Sequence, residues 1–194
     1  MQNALIVIDV QESFRQRPNW AVTSDPDVAQ KVARLVDHAR AAGDLVVWVL
    51  HHEPGTGNVF DPALGYCTYI EGLEPEAGEP ELAKTSHNAF TTTNLHQILT
   101  QRGVGLVRIS GIRTEQCCET TARVASDLGF DVEFVIDATA THPIPHWQGD
   151  YDRPVEEILA DPLTLQTADV IARTEYALAG RFATIVTVDE VTAR

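Results

Sequence analysis

Short apolar runs of strand length alternate along this chain with stretches whose apolar residues recur every three to four positions. Residues 4–9, 45–50, 105–110, 131–136 and 182–188 are near-continuous runs dominated by aliphatic residues, and a shorter one lies at 82–84. Such runs are the pattern of strands buried on both faces. Between the first two, Val28, Val32, Leu35, Val36 and Ala39 mark one face of a helix. Asp25 is placed to cap it, Pro26 falls at its first position and Gly43 just past its end. Residues 94–102, 115–128 and 165–179 read the same way, followed by glycines at 103, 129 and 180. The alternation predicts an α/β fold, a three-layer α/β/α sandwich built on a mainly parallel, roughly six-stranded, Rossmann-like sheet. Residues 51–81 and 142–162, rich in Pro, Gly and acids, follow neither period and read as lids or subunit-contacting loops.

Composition narrows the class. With 194 residues, 44% of them hydrophobic, the chain suits one domain spanning 1–194 with one well-buried core. No apolar run approaches the roughly 18 residues of a spanning helix, and the first one lacks a basic lead or a cleavage site, so a cytoplasmic protein is expected. The net charge of −14 argues against nucleic acid or an anionic membrane as partner, because 14 Lys and Arg are too few to neutralise a row of phosphates. Three cysteines, two of them adjacent, make neither a disulfide framework nor a paired-cysteine zinc signature. Cys67 reads as a small buried hydrophobe.

In such sheets, ligand sites lie beyond the carboxyl ends of the strands. Asp9, Lys84 and the turn Gly111–Cys117 all fall there. With Thr114 as N-cap, Cys117 sits on the first helical turn, where backbone N–H groups and the helix dipole favour the thiolate. A carboxylate at Asp9, enclosed by apolar strands, has a raised pKa and suits a general base, and a nearby Lys84 would stabilise the sulfur anion. Taken singly, each has an ordinary alternative: Asp9 as a turn acid, Lys84 as a surface lysine, Cys117 as a packed structural thiol.

Three segments taken together resemble a known family. Gly111-Ile112-Arg113-Thr114-Glu115-Gln116-Cys117 is similar to the nucleophile motif of the isochorismatase-like cysteine hydrolases, and the likeness continues through Thr121, Ala122, Ala125, Gly129 and Asp137-Ala138-Thr139. Ile8-Asp9-Val10-Gln11 resembles the family's first-strand signature, and Lys84-Thr85-Ser86-His87-Asn88-Ala89-Phe90 its lysine motif. The resemblance implies a triad of Asp9, Lys84 and Cys117. It further implies a cis peptide between Ile112 and Arg113, with the backbone N–H groups of Arg113 and Cys117 turned toward a shared oxyanion position. Asn88 stands where serine is common, and Cys118 where a small apolar residue is usual.

The implied activity is hydrolysis of a C–N bond in a small amide, imide or carbamoyl compound through a thioester acyl-enzyme, with no cofactor. Family members are often dimers or tetramers, so a homo-oligomer is expected. The nicotinamidase branch adds a metal held by an aspartate and histidines after the second strand. Here that region reads His51-His52-Glu53-Pro54-Gly55, whose adjacent histidines point to opposite faces of an extended segment, so no metal is expected. Vinyl ether hydrolysis of the isochorismatase type is the alternative activity, although true isochorismatases generally lack the cysteine. A non-catalytic binding module of the same fold is the other alternative. For substrate contacts the expected set is Phe14, His87, Phe90, Arg113 and His142, suited to a compact, partly apolar small molecule.

Overall fold

The computed structural model describes residues 2–194 and gathers six strands into one sheet. They are β1 (Gln2–Ile8), β2 (Leu45–His51), β3 (Glu81–Lys84), β4 (Val104–Ile112), β5 (Asp131–Ala140) and β6 (Thr184–Val186). Every neighbouring pair is parallel, in the order β3-β2-β1-β4-β5-β6. The helices are α1 (Glu12–Arg15), α2 (Val28–Ala42), α3 (Leu95–Gln101), α4 (Glu119–Asp127), α5 (Val155–Ala160), α6 (Thr167–Leu178) and α7 (Val188–Thr192). Among the described residues no helix is long and apolar enough to cross a membrane.

Side chains alternate across a strand, and β1 shows how that builds the layers. Ala4, Ile6 and Ile8 pack on one face with Leu95 and Leu99 of α3, Ala122 and Ala125 of α4 and Leu178 of α6. Leu5 and Val7 pack on the other with Val32, Leu35 and Val36 of α2 and Val188 and Val191 of α7. A continuous apolar run is thus what a strand covered on both sides requires. The sheet grows in opposite directions from the β1–β4 junction, and in doubly wound sheets that junction opens a ligand crevice.

Glycine is required at one position of this junction. Ile8 of β1 pairs with Gly111 of β4, where φ is +134° and a Cβ atom would stand 1.9 Å from the Ile8 carbonyl oxygen. Only a residue without a side chain lets the two backbones approach so closely. Asp9, which follows Ile8, is thereby held beside the turn that carries Cys117.

Several boundaries differ from the pattern-based expectation. Helix α2 begins at Val28 with Asp27 at its N-cap position, and Asp25 instead accepts a hydrogen bond from the Asp27 N–H at 2.9 Å. The last strand is only Thr184–Val186, because Thr187 ends it and starts α7: its side chain accepts from the Glu190 N–H while the Glu190 side chain accepts from the Thr187 N–H. Helix α5 lies inside the stretch read as irregular, and β5 runs on to Ala140.

Candidate active site

Asp9, Lys84 and Cys117 meet at the carboxyl edge of the sheet. Asp9 leaves β1 with φ +54°, the left-handed region that aspartate tolerates better than most residues, and its N–H donates to the Val49 carbonyl at 2.8 Å. Lys84 ends β3 directly opposite His51 of β2, and its side chain crosses the end of β2 to reach Asp9 Oδ2 at 2.7 Å. Both side chains are fully buried. The Lys84 ammonium also stands 3.4 Å from Cys117 Sγ, 3.1 Å from the Ser86 carbonyl and 3.2 Å from His51 Nδ1. Four acceptors compete for three N–H donors, which fixes the ammonium centrally. Asp9 Oδ1 takes no hydrogen bond, which leaves it open to receive a proton.

Cys117 does not sit where a capped helix would put it. Residues Thr114–Cys118 form a π-helical turn between β4 and α4. Arg113 occupies the N-cap position, and its carbonyl accepts from the N–H groups of Gln116 and Cys118, both at 3.2 Å. Thr114 is not a cap: its hydroxyl donates to Thr139 Oγ1 at 2.8 Å, which ties the turn to β5. Thr121 Oγ1 donates to the Cys117 carbonyl at 2.6 Å and accepts from the Ala89 N–H at 3.1 Å, joining the turn to the segment after β3. The Ile112–Arg113 peptide is cis. Cys118 is fully buried in the core under α4, whereas Cys67 is only half-buried.

The ionisation of Cys117 reverses the expectation from its place in the chain. Burial pushes the thiol up to about 12, and the Asp9 carboxylate pushes the same way, while Lys84 offsets only part of it. Asp9 is itself raised, because burial outweighs the neighbouring ammonium. Burial pulls Lys84 down, but Asp9 and Cys117 outweigh it and leave the ammonium above its ordinary range. At neutral pH Cys117 rests as a thiol. Alkylation of Cys117 by iodoacetamide is therefore expected to accelerate about tenfold per pH unit from pH 7 to 10, because the thiolate fraction rises by that factor below the pKa. A plateau near pH 7 would show a resting thiolate instead.

Two groups beside the lysine were not legible in the sequence. An ammonium carries only donors, so His51 Nδ1 accepts from Lys84, and the ring proton sits on Nε2, which donates to Glu53 Oε1 at 3.1 Å. Glu53 in turn takes a hydrogen bond from Asn58. Gln11 clamps the end of β2, accepting from the His51 N–H at 2.7 Å and donating to the His51 carbonyl at 3.1 Å. With both ring nitrogens engaged, His51 has none to offer a metal. Among the described residues no group of three or more His, Cys, Asp or Glu is placed to hold one.

Cys117 Sγ faces a small cavity of about 90 Å³. Of the expected contacts, Phe14, His87 and Arg113 line it, and so do Asp9, Arg17, His51, Glu53, Phe60 and Gln116. Phe90 and His142 do not. Phe90 points into the core and stacks on Phe130 with centroids 6.3 Å apart. His142 is fully buried between Phe14 and Trp20, and burial together with Arg113 and Arg17 holds its pKa down to about 3. Arg113 pairs with Glu115 at 2.8 Å.

The isochorismatase domain model matches residues 3–166. Streptothricin hydrolase from Streptomyces noursei is 36% identical over 143 residues, covering 73% of this chain and 56% of that protein. Ureidoacrylate amidohydrolase from Methylorubrum extorquens is 29% identical over 174 residues, covering 71% and 68%. The crystal structure of an isochorismatase-family protein from Chromobacterium violaceum has the same fold, with a TM-score of 0.86 at 24% identity over 99% of this chain and 92% of that one.

Proposed function

Because this chain belongs to the isochorismatase family of hydrolases, we propose that it cleaves a C–N bond of a small amide, imide or carbamoyl compound with Cys117 as the nucleophile. The observation that carries this reading is the contact of one buried ammonium with both the Asp9 carboxylate and the Cys117 sulfur, at the floor of a cavity. A relative named as an amidohydrolase favours the bond type.

In the proposed cycle Asp9 takes the thiol proton as sulfur attacks the carbonyl carbon. A raised carboxyl pKa brings base and thiol closer in proton affinity, and Lys84 balances the negative charge whether it sits on oxygen or sulfur. The backbone N–H groups of Arg113 and Cys117 are the donors assigned to the developing oxyanion. Asp9 returns the proton to the departing nitrogen, and ammonia or an amine leaves. Asp9 then takes a proton from water, whose oxygen attacks the thioester. Collapse of that second adduct releases the acid and restores the thiol.

A panel of small amides, imides and carbamoyl compounds tests the reading by release of ammonia, an amine or a new carboxylic acid. At least one is expected to turn over at about 1 s⁻¹ or faster, within the usual range for enzymes. Pyruvate released from isochorismate, with no hydrolysis of any panel member, would assign vinyl ether cleavage instead.

A further inference from the structure

The cavity at Cys117 is narrow, about 90 Å³. A second chamber of about 330 Å³ adjoins it, and Arg17, Arg113 and Gln116 line both. The outer chamber sets an apolar wall, built by Ile144, Pro145, Val155, Ile158 and Leu159 from the segment after β5 and from α5, beside the polar groups of Asn19, Tyr151 and Asp152. The inner site and the outer chamber thus share a throat formed by two guanidinium groups.

In a chain of net charge −14, two arginines converging on one throat are a local exception. Their charges repel, and burial and Arg17 both disfavour the charged form of Arg113. Among the described residues no carboxylate lies within 4.0 Å of the Arg17 guanidinium, which stands 6.0 Å over the Phe60 ring. Arg113 has one carboxylate partner, Glu115, yet its buried Nε–H has no acceptor. A buried donor without an acceptor costs free energy until something supplies one. Asp152 lies on the wall of the outer chamber and Glu53 on that of the inner cavity.

We infer that the two chambers form one substrate site, which takes an amide whose non-reacting part carries a carboxylate, held at the Arg17–Arg113 throat, and an apolar group, seated in the outer chamber. This deepens the proposed hydrolysis and rests on it for the position of the scissile carbonyl. An N-acyl derivative of an apolar amino acid has this distribution: a short acyl carbonyl inside, the carboxylate at the throat and the side chain outside. Arginine suits a carboxylate because its planar fork donates two parallel hydrogen bonds.

Binding is separated from chemistry by measuring it on Cys117→Ala, which keeps every wall but the sulfur. Calorimetry compares N-acetyl-leucine with N-(3-methylbutyl)acetamide, the same molecule without its carboxylate. A charge-assisted contact is worth about tenfold or more in affinity, so N-acetyl-leucine is expected to bind at least tenfold tighter. Adding Arg17→Gln is expected to bring the two affinities within about twofold of each other. Equal affinities, no binding of either probe, or a preference that survives Arg17→Gln would overturn the inference. Turnover of the amide panel and of the two N-acetyl probes by the unaltered protein, followed by the ammonia or primary amine released, reads the hydrolysis separately: hydrolysis with no carboxylate preference sinks only the substrate class, and a carboxylate preference with no amide turnover sinks only the reaction.

Discussion

Cys117→Ala is expected to lower kcat on the best amide by roughly 10⁴- to 10⁶-fold, the loss seen when a covalent nucleophile is removed from a site whose members act as a unit. The size follows from the site's construction. Without sulfur, the Asp9 proton acceptor and the Lys84 charge remain, but no bond can form to the carbonyl carbon and no thioester divides the reaction into two easier steps. The fold should persist. The side chain is small and lies in the wall of a cavity, so truncation costs about 1 kcal/mol, well below the 2–5 kcal/mol of a large core deletion. Steady-state ammonia release together with urea melts checks both parts. Activity within tenfold of the parent would remove the covalent route, and collapse of the fold would make Cys117 a packing residue first.

Lys84→Met is expected to abolish turnover and, unlike the cysteine change, to destabilise strongly. It leaves the Asp9 carboxyl, fully buried, without its countercharge at 2.7 Å. Breaking a buried pair from one side costs about 3–5 kcal/mol. For a chain of this length that corresponds to a fall of roughly 6–20 °C in Tm. The pH dependence has a definite sign. Asp9 is already raised by burial, and losing Lys84 raises it further, so folding stability is fully present where both folded and unfolded carboxyls are protonated, below about 3.8. That stability is lost as pH rises toward the folded pKa. The Tm gap between parent and variant should therefore be narrow at pH 4 and wide at pH 8. A gap independent of pH would mean that Lys84 is not the countercharge. Asp9→Asn combined with Lys84→Met should recover much of the stability and none of the activity, since it removes both charges together.

Above pH 9 the parent should weaken as well. The Cys117 thiol ionises near 9.0 when unfolded and is held to about 12 in the fold. A group with a raised folded pKa contributes stability that fades as pH climbs past its unfolded value. Cys118, raised further by complete burial, acts in the same direction.

The amino-acid order by itself determined the layers and the neighbourhood of the site. Continuous aliphatic runs such as Ala4–Ile8 specify strands covered on both faces, and alternation with helical spacing leaves a parallel sheet as the economical solution. Because chemistry in such sheets gathers at carboxyl ends, Asp9, Lys84 and Cys117 could be picked out although up to 108 positions separate them. Short elements were less legible: α7 has five residues, too few for a period, though Thr187 and Glu190 carried its capping signal. Only the tertiary structure decided the rest. Whether Phe90 faces the cavity or the core, and whether His51 reaches Lys84, depends on strand register and loop path, which local pattern does not encode. The state of the Cys117 thiol was decided in the same way. A helix start lowers a thiol's pKa, but desolvation and a carboxylate brought in from another strand raise it more, and those opposing terms exist only once the chain has closed around the sulfur.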